Sequence, residues 1–481
     1  MVCPLYHHPR YYDNRNSRSS CFHSDFCLLK IEIGKQIKLT QLETDLRETL
    51  IKQLTMFNPK WLENERMGRW NRGTPKILRL YSKWKDTLWI PRGYMRRLLM
   101  LCRENQVEVQ IGDQRRELYQ ADFEFSGVLK DFQAMALKKM LSKEFGTLSA
   151  PTGCGKTVMA LYMIAARKQP TLIVVHTKEL AFQWIDAIEQ FLGIEESAVG
   201  LIGSGRHKVG EKVTIALVQS LYRCADEVSE GVGHLVVDEC HRAPSRTFTE
   251  AVTEFDSKYM LGLSATPWRR DKLSKLIFWH LGDVHWEIDK SQLVEEGHIL
   301  QAEVILRETS FDPFHDPVQH YSKMLLELTS DDDRNRLIAS DVAKESARDQ
   351  GVCLVLSDRK KHCETLQAML KYKHNVHADL LTGDLSNEDR RSVLQRLNKG
   401  DVKVLIATGQ LVGEGFDCKA LSTLFLSTPI RFSGRLIQYL GRVLRPDQGK
   451  KKARVFDYVD ARVDILKAAA KQRQRVYDSS Q

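Results

Sequence analysis

The fold is decided by the stretch GTLSAPTGCGKTVMALYMIA, residues 146–165. An apolar lead-in typical of a β-strand runs into a glycine-rich turn, and apolar residues at helical spacing follow Thr157. Strand, loop and helix in that order are the context of a phosphate-binding loop. Gly153 and Gly155 let the backbone point its N–H groups at phosphate oxygens, and the positive end of the helix adds to the attraction. The stretch therefore predicts a nucleoside triphosphate site.

Two side chains of this loop have chemistry that suits a triphosphate. Lys156 is expected to reach the β and γ phosphates, and the Thr157 hydroxyl to ligate Mg²⁺. Ala150 replaces the glycine that usually begins the pattern, and such a small residue still allows the turn. A chance glycine-rich turn before a helix is the alternative, which the complete Gly-Lys-Thr disfavours. We expect the rest of the nucleotide loop to be formed by Pro151, Thr152, Gly153, Cys154 and Gly155.

Composition limits the class of protein. A chain of 481 residues should hold more than one domain, and its 42% hydrophobic and 28% charged content is typical of soluble globular proteins. No apolar run approaches the ~20 residues of a membrane span, so we expect no membrane association. The ten cysteines show no paired spacing, which favours a reducing, cytoplasmic setting. The Cys- and His-rich segment 1–27 matches no zinc module and is predicted to be a flexible extension.

The positive charge is concentrated before the phosphate-binding loop. Residues 1–118 carry 22 basic and 13 acidic residues, whereas the remainder is nearly balanced with 50 and 49. Within residues 60–103 there are twelve basic and three acidic residues. Basic residues bind phosphate and aromatic faces stack on bases, so this segment suggests nucleic-acid contact. A small domain with an aromatic core and solvated charges is the alternative. Six aromatic residues are interleaved with the charges: Trp61, Trp70, Tyr81, Trp84, Trp89 and Tyr94.

Strand-like and helix-like runs predict an α/β protein with two tandem doubly wound parallel-sheet domains and a small N-terminal α/β domain. The proposed boundaries are 28–118 for the basic N-terminal domain, 119–290 and 291–470 for the two doubly wound domains, and 471–481 for a tail. Strands ILRLY and TLWI are expected to be joined by a polar turn. Residues 330–333 are expected to cap a helix. The basic C-terminal run is expected to form a solvated packing helix with a frayed end.

An acidic pair ends one predicted strand. Asp238 and Glu239 follow the apolar run Leu235–Val237, and ligands bind at the carboxyl ends of parallel strands. Asp238 is placed to hold Mg²⁺, and Glu239 to orient and deprotonate the attacking water. After the next strand, the hydroxyls of Ser264 and Thr266 could bond to this acidic cluster and sense the γ-phosphate. The alternative is an ordinary strand and turn whose hydroxyls cap a helix.

The second predicted doubly wound domain contains a basic helix. Gln438, Arg442 and Arg445 lie at i, i+4 and i+7, so a helix would bring them to one face. Arginines that face a phosphate site on another domain stabilise developing negative charge. The alternative is a solvent-facing basic surface, since the apolar residues between them make the helix amphipathic in either case.

Together these motifs resemble the superfamily 2 helicases of the DExH type. The resemblance covers roughly residues 125–460 and is closest to the XPB, UvsW and type III restriction-subunit branch. It is weaker to the DEAD-box RNA helicases, because residues 238–241 read DECH and residues 438–445 read QYLGRVLR. The resemblance implies two RecA-like domains that bind ATP between them and nucleic acid across their tops.

The resemblance also implies roles for individual residues. Gln133 would read adenine, and Gly415 and Asp417 would contact the nucleotide from the second domain. Cys240 and His241 would link hydrolysis to strand contact. The residues that would contact nucleic acid are His176, Thr177, Gln219, Ser220, Ser357, Thr382, Gly383 and Thr408.

The main hypothesis is an ATP-dependent helicase or translocase that moves along or remodels DNA. One alternative is an RNA-dependent ATPase, because the motor motifs contact the nucleic-acid backbone and do not show whether its sugar is ribose or deoxyribose. Another is the motor subunit of a defence or repair complex in which a partner nuclease cuts DNA. The only weakly nuclease-like segment is Glu287-Ile288-Asp289-Lys290, for which an amphipathic turn is the better interpretation. A purely non-enzymatic binding role fits poorly, since each expected catalytic position holds a competent residue.

Overall fold

Three sheets of five or more strands follow one another along the chain. The computed structural model describes residues 28–242, 246–265, 273–348, 351–409, 418, 420–430, 433–447, 450 and 452–478. The predicted extension 1–27, Thr266, Gly415 and Asp417 lie outside these residues.

The N-terminal unit is a five-stranded sheet in the order β5-β6-β2-β1-β7, with a separate pair β3-β4. Leu29, Ile31 and Ile33 are buried on the inward face of β1, which is the alternation expected of a half-buried strand. The elements of this unit are β1 (Leu29–Ile33), β2 (Ile37–Thr40), α1 (Thr44–Gln53), β3 (Thr55–Phe57), α2 (Pro59–Arg66), β4 (Ile77–Arg79), β5 (Ser82–Trp84), β6 (Thr87–Ile90), α3 (Met95–Glu104) and β7 (Val109–Asp113).

One prediction for this unit is wrong. ILRLY and TLWI were expected to form two strands joined by a polar turn. Instead β4 pairs with β3 in the small sheet, and the hairpin is made by β5 and β6. The reason is the break at Leu80 and Tyr81, where the Leu80 N–H bonds to the Leu54 carbonyl rather than continuing a ladder.

The second unit is an eight-stranded sheet in the order β11-β10-β12-β9-β13-β14-β8-β15, in which only β11 pairs antiparallel. Its central strand β9 is buried along its whole length, as expected for a parallel strand covered on both faces. The elements are α4 (Asp131–Leu141), β8 (Phe145–Ser149), α5 (Lys156–Arg167), β9 (Thr171–Val175), α6 (Lys178–Leu192), β10 (Gly200–Gly203), β11 (Arg206–Lys208), β12 (Val213–Leu217), α7 (Val218–Leu221), α8 (Ala225–Ser229), β13 (His234–Val237), α9 (Arg246–Thr253), β14 (Tyr259–Ser264), α10 (Ser274–Leu281), β15 (Val284–Glu287) and α11 (Lys290–Glu295).

The third unit is a six-stranded, fully parallel sheet in the order β16-β21-β20-β17-β19-β18. Its elements are β16 (Ala302–Glu308), α12 (Tyr321–Ser330), α13 (Asp332–Ser346), β17 (Val352–Ser357), α14 (Lys360–His374), β18 (Asp379–Leu381), α15 (Asn387–Lys399), β19 (Val404–Thr408), β20 (Leu421–Leu426), α16 (Ser433–Val443), β21 (Ala453–Val459) and α17 (Asp464–Asp478). The two parallel sheets confirm the predicted α/β class.

The helix ends of the third unit test two predictions. Asp331 caps α13 by accepting a hydrogen bond from the Arg334 N–H, which confirms the expected cap. The C-terminal helix α17 does pack on the sheet as predicted, but its end is not frayed: the helix continues to Asp478, into the predicted tail 471–481, and Val476 and Tyr477 are buried. Arg473 on α17 is only 4% exposed, and its guanidinium bonds to both carboxylate oxygens of Asp457 at 2.8 and 2.7 Å. A buried carboxylate on β21 explains the difference, because it requires a cation from the covering helix.

The N-terminal unit is fixed to the second unit by close backbone contact. A Cβ added at Gly93 would lie 2.2 Å from the Phe278 carbonyl oxygen on α10, so only glycine allows this approach. The neighbouring Arg92 is buried and donates to the Ser257 carbonyl oxygen at 2.8 Å. Burial lowers the pKa of Arg92 to about 9. The N-terminal unit therefore packs directly against the unit that carries the phosphate-binding loop.

Candidate functional site

The phosphate-binding loop connects β8 to α5. Gly153 has φ +92° and Gly155 has φ +86°, conformations that side-chain-bearing residues rarely adopt. Gly155 is the N-cap residue of α5, so the free N–H groups of the first helical turn point into the loop. The Lys156 ammonium donates to the carbonyl oxygens of Ala150 at 3.1 Å and Pro151 at 3.4 Å. The loop thus forms a cradle of N–H donors with a cation across it.

The departure from the loop pattern at Ala150 fits the fold. Ala150 is fully buried, and its N–H donates to the Ser264 carbonyl oxygen at 2.9 Å. This bond joins the start of the loop to the end of β14, which is the neighbour of β8 in the sheet. A small side chain is therefore accommodated without disturbing the turn.

Gln133 lies beneath the same loop. It is buried on α4, where its Oε1 accepts from the Lys130 N–H at 3.0 Å and its Nε2 donates to the Cys154 carbonyl oxygen at 2.8 Å. Its amide therefore braces the phosphate-binding loop in this structure. The adenine contact assigned to Gln133 stays a prediction.

The predicted acidic pair lies at the end of β13. The Asp238 carboxylate accepts the Glu239 N–H at 2.8 Å through Oδ1 and the Trp184 indole N–H at 2.9 Å through Oδ2. Burial, followed by the charge of Glu239, raises the pKa of Asp238, and Lys156 partly opposes this shift. Glu239 itself has φ +47°, an uncommon conformation for a residue with a side chain. Such backbone strain persists where the surroundings hold it and clusters at functional sites.

Trp184 was missed by the sequence analysis. It lies on α6 and is 1% exposed. Its hydrogen-bond acceptor, Asp238, is more than fifty residues away in the sequence. A signal existed in principle: a buried indole N–H usually needs an acceptor. Only the strand order, which puts β13 next to β9, shows that the acceptor is Asp238.

A histidine connects the acidic pair to the next strand. The His241 Nδ1 lies 3.1 Å from the Glu239 Oε2 and 3.1 Å from the Ser264 Oγ. Cys240 is buried beneath this contact. The predicted coupling residues His241 and Ser264 are therefore in direct contact, whereas Thr266 lies outside the described part of the chain.

Helix α16 of the third unit forms the opposite wall. A Cβ added at Gly441 would lie 2.2 Å from the Thr152 Cβ, and one added at Gly153 would lie 3.3 Å from the Arg445 Cγ. The two parallel-sheet units thus meet at the phosphate-binding loop. The predicted helical spacing needs one correction: α16 ends at Val443, so Arg445 lies just beyond the helix. Gln438 and Arg442 are each 8% exposed on α16.

A cavity of about 490 Å³ opens between the two walls. Pro151, Thr152 and Ala265 line one side, and Leu440 and Gly441 line the other. The segment Glu287-Ile288-Asp289-Lys290, which is weakly nuclease-like in sequence, also lines this cavity. Its polar residues are therefore part of the cleft. Burial lowers the pKa of Lys290 to about 8.

The residues present fit ATP and Mg²⁺. Among the described residues, the buried Thr152 Oγ1 and Gln438 Oε1 have no hydrogen-bond partner, and such groups ordinarily have one. Both belong to segments that meet at the phosphate-binding loop. Within the described ranges no group of three or more His, Cys, Asp or Glu side chains could hold a metal ion. Thr157 and Asp238 suit Mg²⁺, which is usually held by one or two protein oxygens plus phosphate and water.

The predicted nucleic-acid residues lie at ends of the parallel strands. His176 and Thr177 follow β9, and the Thr177 hydroxyl caps α6 by accepting the Leu180 N–H at 3.3 Å. Gln219 is exposed and Ser220 half-buried on α7.

In the third unit, Thr382 and Gly383 follow β18, and Thr408 ends β19. Thr382 and Thr408 are half-buried and Gly383 is exposed. Ser357 does not fit its predicted contact. It is 1% exposed, and its hydroxyl bonds to His362 Nδ1 at 2.9 Å and to the Arg359 N–H at 3.1 Å.

Two protein-family models match the chain. Residues 126–269 match the res subunit of type III restriction enzymes, and residues 325–447 match the helicase conserved C-terminal domain. Together these segments span more than half of the chain. The chain is a superfamily 2 helicase related to the branch that includes XPB and the type III restriction subunit. It is a nucleic-acid-dependent, ATP-hydrolysing helicase.

Individual relatives of this helicase are distant. A protein of Acanthamoeba polyphaga mimivirus, provisionally named an ATP-dependent RNA helicase, is 26% identical over 74% of this chain and 69% of its own. The DNA 3′-5′ translocase XPB2 of Sulfurisphaera tokodaii is also 26% identical, over 66% of this chain and 78% of its own. A fragment of a provisionally assigned type I restriction HsdR subunit from Vibrio vulnificus superposes with a TM-score of 0.54 at 17% identity, covering 72% of this chain and 66% of that one. The last likeness concerns the fold alone.

No helix in the described ranges of this helicase is both long and apolar enough to cross a membrane.

Proposed function

We propose that this helicase is a DNA-directed motor that hydrolyses ATP in the cleft between its two parallel-sheet units. The observation that carries the proposal is the contact of Gly441 and Arg445 with the phosphate-binding loop. It places the end of α16, which carries Arg442 and leads into Arg445, against the nucleotide loop of the other unit. Opening or closing the cleft therefore changes the contacts of both units together.

In this proposal the first wall holds the phosphates. Lys156 exchanges its contacts with the Ala150 and Pro151 carbonyls for the β and γ phosphates, and the loop N–H groups bind the remaining oxygens. Thr157 and Asp238 hold Mg²⁺. When bound, ATP supplies the phosphoanhydride bond, and Mg²⁺ neutralises the charge of its oxygens.

Glu239 is the general base in this proposal. Its backbone has φ +47°, and the His241 Nδ1 lies 3.1 Å from one of its carboxylate oxygens. The same His241 nitrogen contacts Ser264, so a displacement of either strand end changes the orientation of the base. This contact gives His241 and Ser264 their role in coupling.

The second wall completes the site. Arg442 and Arg445 stabilise negative charge that develops on the phosphates, and Gln438 offers its unpartnered buried carbonyl oxygen to the nucleotide or the attacking water. Because these groups belong to the third unit, they act only while the cleft is closed.

DNA is favoured as the nucleic acid along which the motor moves, and RNA is the second candidate. One relative is named a DNA translocase, and one matched family is named for a restriction enzyme, whose substrate is DNA. The mimivirus relative, named for RNA, supports the alternative. The match to the restriction-enzyme family also supports a nuclease as partner.

A reducing, cytoplasmic setting is supported by free cysteines that are buried in the structure, among them Cys102, Cys224, Cys353 and Cys363.

The direct test compares ATP turnover with no nucleic acid, single-stranded DNA, duplex DNA and single-stranded RNA at equal nucleotide concentration. We expect DNA to stimulate turnover more than RNA. Equal or greater stimulation by RNA would overturn the DNA assignment while leaving the helicase intact. Strand displacement on forked DNA then separates unwinding from translocation: robust stimulation without displacement indicates a translocase that remodels.

A further inference from the structure

The loop between α2 and β4 presents one tryptophan to solvent. Trp70 is 86% exposed, and none of the residues of the adjoining helix α2 is buried. Phe57 at the end of β3 and Met67 just after α2 are 58% and 54% exposed. Large apolar side chains exposed together usually mark an interaction surface. We call residues 55–79 the tryptophan protrusion.

Three asparagines hold the protrusion in shape. Asn58 donates from Nδ2 to the Pro75 carbonyl oxygen at 2.8 Å, and its backbone N–H bonds to the Lys76 carbonyl oxygen at 2.9 Å. Asn64 Nδ2 donates to Asn71 Oδ1 at 3.0 Å. The residues before and after Trp70 are thus tied to α2, so the exposed ring is displayed by a fixed loop. Preorganisation of this kind lowers the entropy cost of binding.

The charges of the protrusion identify its partner. Residues 55–79 contain six basic and two acidic residues, and Trp70 lies between Arg69 and Arg72 at i−1 and i+2. A flat aromatic ring flanked by guanidinium groups matches the alternation of base and phosphate along a nucleic-acid strand. An acidic peptide would use the charges but not the exposed faces of the ring.

Trp70 differs from two other tryptophans of the unit, Trp61 and Trp84. The Lys85 ammonium lies 4.7 Å from the ring centroid of Trp84, and Lys76 lies 4.9 Å from that of Trp61. In the described part of the chain no lysine or arginine covers the ring of Trp70 in this way. Of these three rings, Trp70 alone therefore has both faces available for stacking.

We propose that Trp70 stacks on an unpaired base of the nucleic acid while Arg69 and Arg72 contact the flanking phosphates. This proposal rests on the proposed nucleic-acid motor and adds a contact outside the motor motifs. Gly93 and Arg92 fix the N-terminal sheet to the unit that carries the phosphate-binding loop. A base held by Trp70 is therefore anchored to one side of the ATP cleft while the third unit moves.

The experiment measures binding of the full chain to forked DNA whose single-stranded arms carry 2-aminopurine, by anisotropy and by 2-aminopurine quenching. Stacking contributes ~1–3 kcal/mol per base, so Trp70→Ala should weaken binding roughly 5- to 150-fold. Trp70→Phe should recover much of the loss. Arg69→Ala and Arg72→Ala should each lower the salt slope by about 0.7, whereas Trp70→Ala should leave it unchanged.

The matched control is Tyr372→Ala, which removes a 79% exposed ring between Lys371 and Lys373 on α14. It should bind as the wild type does. Thermal unfolding of Trp70→Ala should match the wild type, because the side chain is exposed. Wild-type affinity and quenching in Trp70→Ala would overturn the inference and indicate a protein partner for the protrusion. If the wild type binds neither DNA nor RNA, the proposed nucleic-acid motor is overturned as well.

Discussion

The bond from the Trp184 indole to Asp238 gives the sharpest prediction about the site. Trp184→Phe keeps the aromatic ring against the core but removes the N–H that Asp238 Oδ2 accepts at 2.9 Å. Burial already raises the pKa of Asp238, so the carboxylate depends on its remaining donors. Without the indole N–H we expect the pKa of Asp238 to rise further and its affinity for Mg²⁺ to fall.

The size of the effect follows from burial. Trp184 is 1% exposed and Asp238 is 7% exposed, so water cannot replace the missing donor. A hydrogen bond to a charged group contributes ~1.5–3 kcal/mol, which corresponds to roughly 10- to 150-fold in Mg²⁺ affinity at ~1.4 kcal/mol per factor of ten. Losses of about 10- to 100-fold are usual when a residue that orients a metal ligand is changed.

The assay is a Mg²⁺ titration read in two ways, by ATP turnover and by binding of a fluorescent ATP analogue. The Mg²⁺ midpoint of Trp184→Phe should move to higher concentration in both readings, while binding of the metal-free nucleotide stays near the wild-type value. Trp279→Phe is the control, because Trp279 is buried against the Tyr94 ring at 5.7 Å and lies on α10, outside the cleft. Equal Mg²⁺ midpoints for Trp184→Phe, Trp279→Phe and the wild type would show that the Trp184 indole N–H does not support Mg²⁺ binding.

Two further changes test the cleft and the third sheet. Gly441→Ala places a Cβ 2.2 Å from the Thr152 Cβ, so it should hold the cleft open and lower ATP turnover at least ~10-fold, whereas Gly112→Ala, with open space around it, should not. Burial lowers the pKa of His362 to about 3. On acidification this histidine is therefore protonated in the unfolded chain at a higher pH than in the folded protein. The contribution of His362 to the free energy of unfolding should fall by ~1.4 kcal/mol per pH unit between about pH 6.5 and about pH 3. His362→Gln should remove this contribution, which denaturant titrations at several pH values measure.

Much of the cleft was predictable because its motifs are local. The phosphate-binding loop needs strand, glycines, lysine and helix within twenty residues, and Asp238 and Glu239 end an unmistakable apolar strand. Parallel-strand topology then brings those segments to one edge of the sheet. The class of the fold followed from the same alternation of strands and helices.

What could not be predicted depends on contacts between distant residues. Neither Trp184 nor Gly441 carries a local signal for its partner, because each meets it only after the strand order and the packing of the two units are set. The burial of Arg473 required knowing that Asp457 lies beneath α17. The strands β11, β15 and β18 have only three or four residues, which are too few to show a periodicity in the sequence.

Ser357 shows the limit of transferring a role by motif position. Its place after β17 suits a strand contact, yet its hydroxyl belongs to a buried network with His362 and Asn335. The side chain stabilises the strand end rather than facing solvent. A residue at the right position in a motif therefore still needs exposure before it can bind a ligand.

The central claim is that nucleic acid drives ATP hydrolysis through Lys156 and Glu239. The most direct measurement is steady-state ATP turnover of the wild type, Lys156→Ala and Glu239→Gln, with and without single-stranded DNA. We predict stimulation in the wild type and a loss of ~10²–10⁴-fold in stimulated turnover for Glu239→Gln, which should still bind ATP, and a comparable loss for Lys156→Ala with weakened ATP binding. Stimulated turnover near the wild-type rate in either variant would contradict the account.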